Sequence, residues 1–337
     1  MRDALKTLFH PFEAEAVALP AKGSRALFLG AEPGFRLPDG FDAGLELVQG
    51  FRPHFLSLQS AGHHVTQRAE GEGYELALVL AGRHRGLNEL RIAEAIERTG
   101  EGGLIVVAGG KDDGIASLRK RIGGLVDIVD HLPKYHGAAF WFRRDEAAVA
   151  AAAALRADNP ETLVDGRFRT APGMFSFDRV DTGSRLLVEH LPADIKGAVA
   201  DFCAGWGYVA AEVFARAKEL KALDLFEADY EALEAARANV PAGSVEPGFF
   251  WRDLAREPVE RRYDVVVMNP PFHQDRDADP EIGQRMIRAA SAALKPGGRL
   301  FMVANRHLPY QPVLAAAFAS HQELAVENGF RVWTARR

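Results

Sequence analysis

The sequence predicts an α/β protein made of two tandem units, each with a largely parallel sheet. Apolar runs typical of buried strands alternate with helical patterns along the whole chain. The second half also resembles the first, since YELALVLAGRH (74–84) aligns position by position with YDVVVMNPPFH (263–273). Duplication is the favoured interpretation, and chance resemblance between two α/β units is the alternative. We therefore expect two domains, residues 1–157 and 158–337.

The second half shows the strand–helix alternation most clearly. Predicted strands are AVADFCAG with its turn (198–205), KALDLFE (221–227), YDVVVMN (263–269) and RLFMVAN (299–305). Predicted helices are VAAEVFARAKEL (209–220), YEALEAARANV (230–240) and PEIGQRMIRAASAAL (280–294). ELAVE (323–327) and FRVWTARR (330–337) resemble a closing hairpin.

The segment DEAAVAAAAALRADNP (145–160) is rich in alanine and has no strong apolar stripe. We interpret it as a helical connector that ends before Pro160. The alternative is an ordinary helix packed on the core, because tertiary context can override propensity.

Composition limits the classes of function. The chain has 337 residues, 47% of them hydrophobic, and one cysteine, which excludes an internal disulfide framework. No apolar run approaches the roughly 18 residues of a membrane span, and the first residues lack a signal-peptide pattern, so we expect a cytoplasmic protein. The formal net charge of −5 implies that any contact with nucleic acid uses a local basic surface.

The internal repeat shows which half carries special residues. Where the second copy has Asn269, Pro270, Pro271 and Phe272, the first has Leu80, Ala81, Gly82 and Arg83. The strand pattern is kept and the polar and aromatic residues are absent. The first half is therefore predicted to be a copy that has lost its chemistry.

The stretch DFCAGWG (201–207) follows a strand and opens a helix. Gly205 and Gly207 permit close backbone approach, and Asp201 could accept a hydrogen bond from a bound ammonium. Steric turn glycines are the alternative interpretation.

Acids follow the next two strands. Glu227 ends its strand about twenty residues after Gly207, where nucleotide-binding folds place an acid on ribose hydroxyls; Asp224 and Asp229 are rival candidates. Asp253 could accept from an adenine amino group, or it could simply stabilise a turn.

The Asn-Pro-Pro-Phe sequence ends a parallel strand at the edge where ligands bind. The Asn269 side-chain carbonyl and the Pro270 carbonyl can accept hydrogen bonds from an exocyclic amine, and Phe272 offers a face for stacking. Prolines stiffen the loop and lack competing N–H donors.

These motifs together resemble class I S-adenosylmethionine-dependent methyltransferases with Rossmann-like domains that act on exocyclic amines. PGMFSFDRVDTGSRLLVEHLP (172–192), VVMNPPFHQ and MVANRHLPYQPVL (302–314) are similar to the bacterial ribosomal RNA guanine-N2 methyltransferases, the RsmC/RlmG-like group. That group also carries a degenerate N-terminal methyltransferase-like copy. The resemblance covers most of the chain and is strongest over 170–320.

The resemblance implies transfer of a methyl group from S-adenosylmethionine to guanine N2 in ribosomal RNA, most simply 16S RNA within a 30S particle. It implies that a segment closes over the cofactor and contains Phe175, Ser176, Asp181, Gly183 and Ser184. It implies cofactor contacts from Asp201, Cys203, Gly205, Gly207, Glu227, Asp253 and Asn269, and a grip on guanine by Asn269, Pro270 and Phe272. Cys203 stands where the family often has glycine, and no general base near it in the pattern supports a nucleophile.

Other residues are predicted to contact RNA. Pro271 and His273 flank the substrate motif, and Arg83, Arg85 and Lys111 belong to a basic cluster in the first half, which could equally be a solvated surface. No metal site is expected, since His63 and His64 are adjacent and lack a cysteine partner. We expect a monomer.

Alternative functions remain open on the sequence. They are methylation of 23S RNA, methylation of adenine N6 or of a protein glutamine, and a non-enzymatic RNA-docking factor for ribosome assembly.

Overall fold

The computed structural model describes residues 2–243, 245–271, 273–274, 277–278 and 280–337; for 273, 274, 277, 278 and 280 the description covers the backbone alone. The chain forms two compact units. The first unit is Met1–Glu161 with Ala171–Gly173, and the second is Thr162–Thr170 with Met174–Arg337. The predicted boundary at 157/158 lies in the last turn of a helix of the first unit. No helix in the described ranges is long and apolar enough to cross a bilayer.

The first unit is a seven-stranded sheet flanked by helices. Its elements are α1 (Asp3–Glu13), β1 (Arg25–Leu29), β2 (Gly44–Val48), α2 (Arg52–Ser60), β3 (Val65–Thr66), β4 (Tyr74–Leu80), α3 (Arg85–Arg98), β5 (Thr99–Gly110), a 3₁₀ turn (Lys111–Asp113), α4 (Ile115–Gly123), β6 (Ile128–Lys134), β7 (Gly137–Arg143) and α5 (Glu146–Asp158). The strand order is β3-β2-β1-β4-β5-β7-β6, with β7 antiparallel to both of its neighbours.

The second unit repeats that architecture. Its elements are β8 (Thr162–Val164), β9 (Phe168–Thr170), α6 (Thr182–Glu189), β10 (Lys196–Phe202), α7 (Tyr208–Arg216), β11 (Glu219–Glu227), α8 (Tyr230–Asn239), β12 (Gly248–Trp251), β13 (Tyr263–Met268), β14 (His273–Gln274), β15 (Asp277–Ala278), α9 (Pro280–Ala293), β16 (Leu294–Asn305), α10 (Gln311–Ala317), β17 (Ser320–Glu327) and β18 (Phe330–Arg336). The main sheet has the order β12-β11-β10-β13-β16-β18-β17.

The two main sheets share one topology, which confirms the predicted tandem fold. In each, five parallel strands are followed by an antiparallel hairpin. The register makes Leu29 and Phe202 equivalent, because they pair with Val79 and Met268 at the ends of β4 and β13. Equivalent residues of the two units can therefore be compared directly.

The second sheet lies between two apolar layers. Inward residues of one face, including Val199 and Val267, pack with α6, α7 and α8. The other face, including Phe202 and Met268, packs with α9 and α10. This three-layer arrangement holds the carboxyl ends of β10 and β13 side by side.

Several predicted bounds differ from the structure; for example, the strand predicted over 299–305 begins at Leu294, and the strand predicted over 323–327 begins at Ser320. The helix predicted over 209–220 ends at Arg216, because the chain reverses within two residues and Glu219 already belongs to β11. The connector interpretation of 145–160 is wrong. Asp145 caps α5, and Ala148, Ala152 and Leu155 are buried in the core of the first unit, so α5 is a packed helix.

Candidate active site

A cleft opens at the carboxyl edge of β10 and β13 in the second unit. Eight of the residues implicated by sequence line it: Phe175, Ser176, Asp181, Ser184, Asp201, Cys203, Gly205 and Asn269. These residues come from four separate stretches of sequence, which the parallel strands and the start of α6 bring together. Four further lining residues were not predicted: Ala204, Trp206, Tyr208 and Val209.

Asn269 follows β13 and has a fixed orientation. Its Nδ2 donates to Ser184 Oγ at 2.8 Å and to Asp181 Oδ2 at 3.1 Å. Both amide hydrogens are therefore engaged, and the group that the side chain can offer a ligand is its carbonyl oxygen. An acceptor held in this way suits a ligand that presents an N–H donor.

The two partners of Asn269 lie at the start of α6. Asp181 is the N-cap, and its Oδ2 also accepts from the backbone N–H of Ser184 at 2.8 Å. Gly183 does not line the cleft. A Cβ there would lie 2.9 Å from the Phe330 ring, so glycine lets α6 pack closely against β18.

Asp201 is buried at the end of β10, with 2% of its surface exposed. Its Oδ2 has no hydrogen-bond partner among the described residues, although it borders the cleft. Burial raises the pKa of this carboxyl well above its usual range. A hydrogen bond from the Ala210 backbone lowers the pKa, and the nearby charge of Glu227 raises it. An unpaired buried carboxyl is a site for a cation or a donor.

The two glycines of DFCAGWG have different roles. A Cβ on Gly205 would enter open space, and its N–H donates to Glu227 Oε2 at 2.8 Å. Gly207 is the N-cap of α7 with φ of 88°, and a Cβ there would lie 3.1 Å from Ala236 Cα. Gly207 therefore serves helix packing, whereas Gly205 leaves space beside the cleft.

Glu227 ends β11 beside this loop. Its Oε1 accepts from the backbone N–H groups of Ala228 at 2.7 Å and Asp229 at 2.9 Å. Burial raises the pKa of the Glu227 carboxyl, while these hydrogen bonds act in the opposite direction.

The two rivals of Glu227 have structural partners. Asp224 accepts from Tyr263 Oη and Arg261 Nη1, both at 2.7 Å. The equivalent residues of the first unit, Glu46 and Tyr74, form the same bond at 2.5 Å, so it belongs to the fold. Asp229 caps α8 through the backbone N–H groups of Glu231 and Ala232. Glu227 likewise accepts three backbone N–H groups and does not line the cleft, so its contact with ribose stays a prediction.

Asp253 lies in the turn after β12 and is buried. Its Oδ1 accepts from the Ala255 N–H at 3.0 Å, and Arg256 lies 3.7 Å from its Oδ2. Burial raises the pKa of this carboxyl, and these two contacts oppose the shift. The turn role weighed in the sequence is thus present in the structure, and the adenine contact stays a prediction.

Cys203 adopts a left-handed backbone conformation with φ of 60°. The equivalent residue of the first unit is Gly30, with φ of 71°. The Cys203 Sγ lies 3.3 Å from Met286 Sδ, and burial raises the pKa of the thiol well above its usual range. A protonated, buried thiol is a poor nucleophile.

The segment after β9 closes one side of the cleft. Trp206 Nε1 donates to the Phe175 carbonyl at 2.9 Å, and the Phe175 side chain is 60% exposed. Ser176 has φ of 52°. Sequence reasoning missed Trp206 because its role depends on this bond across 31 residues.

The rest of the substrate motif is only partly described. Pro270 is buried and Pro271 is exposed. Phe272 and the His273 side chain lie outside the described residues, so stacking on Phe272 stays a prediction.

In the first unit the equivalent site is filled. A Cβ on Gly30 would lie 2.7 Å from Arg91 Nη1, and Arg91 also donates to the Leu80 carbonyl at 3.2 Å. Gln49, equivalent to Glu227, donates to the Ala31 carbonyl and accepts from the Phe51 N–H. The Arg91 guanidinium fills the space beside Gly30, and the Gln49 amide forms hydrogen bonds with backbone groups of the same loop, so neither the space nor those groups are left for a ligand.

The predicted basic cluster is partly neutralised. Arg85 Nε lies 2.7 Å from Glu89, and Arg121 pairs with Asp158. The backbone N–H of Lys111 donates to the His136 carbonyl at 2.8 Å, next to the β6–β7 turn. Arg83 precedes α3. Binding of RNA by Arg83, Arg85 and Lys111 stays a prediction.

A family model described as the methyltransferase small domain matches residues 165–334, half of the chain. The chain belongs to this family. The match covers every cleft residue of the second unit. The methyltransferase small domain is thus the unit that carries the Asn269 site.

Named relatives agree with the family. Residues of this chain are 39% identical over 176 positions to ribosomal RNA small subunit methyltransferase C from Escherichia coli O7:K1 strain IAI39, and equally to the protein of that name from strain K12. The alignment covers 52% of this chain, and the chain spans about half the length (51%) of the curated relatives it matches.

A solved structure matches the whole fold. It is the T. thermophilus 16S rRNA N2 G1207 methyltransferase (RsmC) in complex with AdoMet and guanosine. The TM-score is 0.79 at 23% identity, covering 99% of this chain and 91% of that one. The likeness shows that this fold is shared with that structure.

Proposed function

We propose that this protein transfers a methyl group from S-adenosylmethionine to the exocyclic N2 of a guanine in 16S ribosomal RNA. The observation that carries the proposal is the orientation of Asn269, whose amide hydrogens are engaged by Ser184 and Asp181. Its carbonyl oxygen is thereby left for an amine at the strand edge. The names of the relatives add the substrate: a small-subunit RNA and, for the T. thermophilus protein, N2 of a guanine.

The residues of the cleft suit S-adenosylmethionine. The unpaired Asp201 Oδ2 can accept from the ammonium of the cofactor, and the open space at Gly205 admits its body. Outside the residues that line the cleft, Glu227 at the end of β11 is proposed for the ribose hydroxyls, and Asp253 after the next strand for adenine. When bound, S-adenosylmethionine supplies an activated methyl group and its own leaving group.

The protein's contribution is orientation. The Asn269 carbonyl and the Pro270 carbonyl accept the two hydrogens of the guanine amine, which directs the nitrogen lone pair away from the ring. Because the N-cap of α6 fixes Asn269 before substrate arrives, little ordering remains to be done on binding. The extra proton of the methylated amine passes to water, so no general base is required of the chain.

The target guanine must leave its stack to reach the cleft, as in other enzymes that modify bases. Phe272 is predicted to receive it. We further propose that a monomer acts in the cytoplasm on an assembled 30S particle, and that the first unit contributes RNA contacts instead of chemistry, since its equivalent site is filled by Arg91 and Gln49.

The test is transfer of tritium from labelled S-adenosylmethionine to purified 30S and 50S particles, followed by nucleoside analysis. We expect N2-methylguanosine in 30S RNA with the parent protein and a loss of at least about 100-fold with Asn269→Ala, since the lost acceptor acts in the transition state. Calorimetry with S-adenosylmethionine is the control, because it separates a loss of methyl transfer from a loss of cofactor binding.

Other outcomes identify the alternatives. Label in 50S particles would indicate a 23S RNA substrate. Cofactor binding without label in either particle would move the substrate to adenine N6 or a protein amide. Neither binding nor label would leave an RNA-docking assembly factor.

A further inference from the structure

The β6–β7 hairpin of the first unit has an unusual turn. Lys134 pairs with Gly137, so the turn consists of two residues, Tyr135 and His136, with φ of 49° and 56°. Two consecutive positive φ values define a type I′ turn, which favours Asn-Gly. Bulky side chains are disfavoured in this conformation.

The second unit provides a direct comparison. Its equivalent hairpin turns through Asn328 and Gly329, with φ of 52° and 82°. The surroundings match as well: the Arg306 N–H donates to the Gly329 carbonyl as the Lys111 N–H donates to the His136 carbonyl. The same backbone thus exists in this chain with the favoured residues, so folding alone does not require Tyr-His.

The Tyr135 ring is exposed and surrounded by basic side chains. It is 37% exposed, and the ammonium groups of Lys6 and Lys134 lie 5.7 and 5.8 Å from its centroid. The His10 ring meets it edge-on at 5.6 Å. Thr7 Oγ1 donates to the Lys134 carbonyl at 3.0 Å, so α1 and the hairpin form one platform.

Acidic groups also face this platform. Asp3 pairs with Lys6 at 3.1 Å, and Glu13 lies 3.5 Å from His10. Asp112 and Asp113 follow Lys111, and Asp113 accepts from the Gly110 N–H. Within the described ranges, no carboxylate forms an ion pair with Lys134 or Lys111. The unneutralised ammonium of Lys134 therefore lies beside the exposed ring, and Lys111 is joined to the same turn through its backbone.

We propose that this platform, formed by Lys6, Lys111, Lys134, Tyr135 and His136, binds an unpaired stretch of ribosomal RNA, with one base stacked on Tyr135 and phosphates on the lysines. The inference rests on the proposed function, and it names the docking surface that the first unit supplies. An exposed aromatic ring between ammonium groups matches the stacking and charge requirements of single-stranded RNA. A binding role also explains the disfavoured Tyr135-His136 turn, because this turn exposes the Tyr135 ring to solvent.

The sharpest test transplants the turn of the second unit. The double variant Tyr135→Asn/His136→Gly keeps the hairpin and should raise its thermal stability, because the turn strain is removed. We expect its affinity for a 16S RNA transcript to fall by about 5- to 100-fold, the effect of losing one stacked base. Tyr135→Phe, which keeps the ring, is the matched control and should bind nearly as the parent does.

The lysines are tested through salt. Lys134→Ala should weaken RNA binding. The slope of log affinity against log salt concentration should become shallower by about one unit, the effect of losing one phosphate contact. Transcript affinity unchanged in both the double variant and Lys134→Ala would overturn the proposal. The proposal would also be overturned if the double variant were less stable than the parent and its weaker RNA binding were explained by unfolding.

The outcomes separate this proposal from the function. If the parent labels 30S particles and the double variant does so with the same KM and RNA affinity, the docking surface is wrong and the activity stands. If the parent protein transfers no label, but the double variant binds RNA more weakly than the parent does, the docking surface stands without the activity.

Discussion

Ser184 Oγ, near the start of α6, accepts a hydrogen bond of 2.8 Å from Asn269 Nδ2 at the end of β13. Asp181 of the same helix start accepts the second amide hydrogen. The segment predicted to close over the cofactor is therefore bonded to the residue predicted to hold the substrate amine. We therefore expect cofactor binding and orientation of the substrate amine to be linked through this pair.

Ser184→Ala should lower kcat for methyl transfer by about 5- to 30-fold, because loss of one hydrogen bond of about 1–2 kcal/mol lets the Asn269 amide rotate. Steady-state kinetics on the 30S particle would measure it. Ser184→Thr keeps the hydroxyl and should restore most of the rate. An equal loss in both variants would show that the side-chain volume, and not the bond, matters.

Asp201→Asn should stabilise the protein without cofactor while weakening cofactor binding. The folded-state pKa of the buried Asp201 carboxyl is raised, so the native state holds a proton that the unfolded state releases above about pH 4. Its contribution to stability is complete below that pH and declines as the pH rises towards the folded pKa. The melting temperature of the variant should therefore exceed that of the parent more at pH 8 than at pH 5.

Thermal melts at pH 5, 6, 7 and 8 would follow that difference, with titration calorimetry for the cofactor. A difference independent of pH would mean that Asp201 is ionised in the folded protein. Undiminished cofactor affinity in Asp201→Asn would remove this residue from the binding site.

Glu227→Gln should weaken cofactor binding by about 10-fold or more, since a charged acceptor forms stronger hydrogen bonds than a neutral amide. It should also lower stability slightly, because both Glu227 oxygens accept backbone N–H groups and the new amide NH2 cannot. Calorimetry and a thermal melt would measure the two effects. Asp224→Asn is the contrasting variant and should lose stability instead, through Tyr263 and Arg261.

Cys203→Gly should raise the free energy of unfolding by up to about 1 kcal/mol, because glycine adopts a φ of 60° without strain. Loss of the Sγ contact with Met286 offsets part of this gain. Chemical denaturation would measure the difference. Cys203→Ala removes the sulfur but keeps the Cβ, so it should be less stable than Cys203→Gly; the reverse order would contradict the strain argument.

The sequence predicted the two-copy fold well, because buried parallel strands such as β4 and β13 are visible in it as apolar runs that repeat. It also predicted most of the cleft, since parallel strands place their carboxyl ends together. The role of Trp206 and the bond between Asn269 and Ser184 join residues far apart in the chain. Local patterns carry no record of such pairs.

The end of α7 and the packing of α5 were missed for different reasons. No glycine or proline marks the stop after Arg216, so the helical pattern ran on into β11. In α5 the small alanines pack closely against the core and produce little amphipathic contrast. Sequence favoured Glu227 over its rivals Asp224 and Asp229 by position alone, and it could not show that Asp224 bonds to Tyr263 and that Asp229 caps α8.

The shared strand order makes each unit a reference for the other. Gly34 and Gly207 have nearly the same φ, 89° and 88°, so this glycine belongs to the turn that both units share. Gly205, in contrast, stands where the first unit has Glu32. Comparing the two halves of one chain thus distinguishes the residues that the architecture demands from those that only the second unit has.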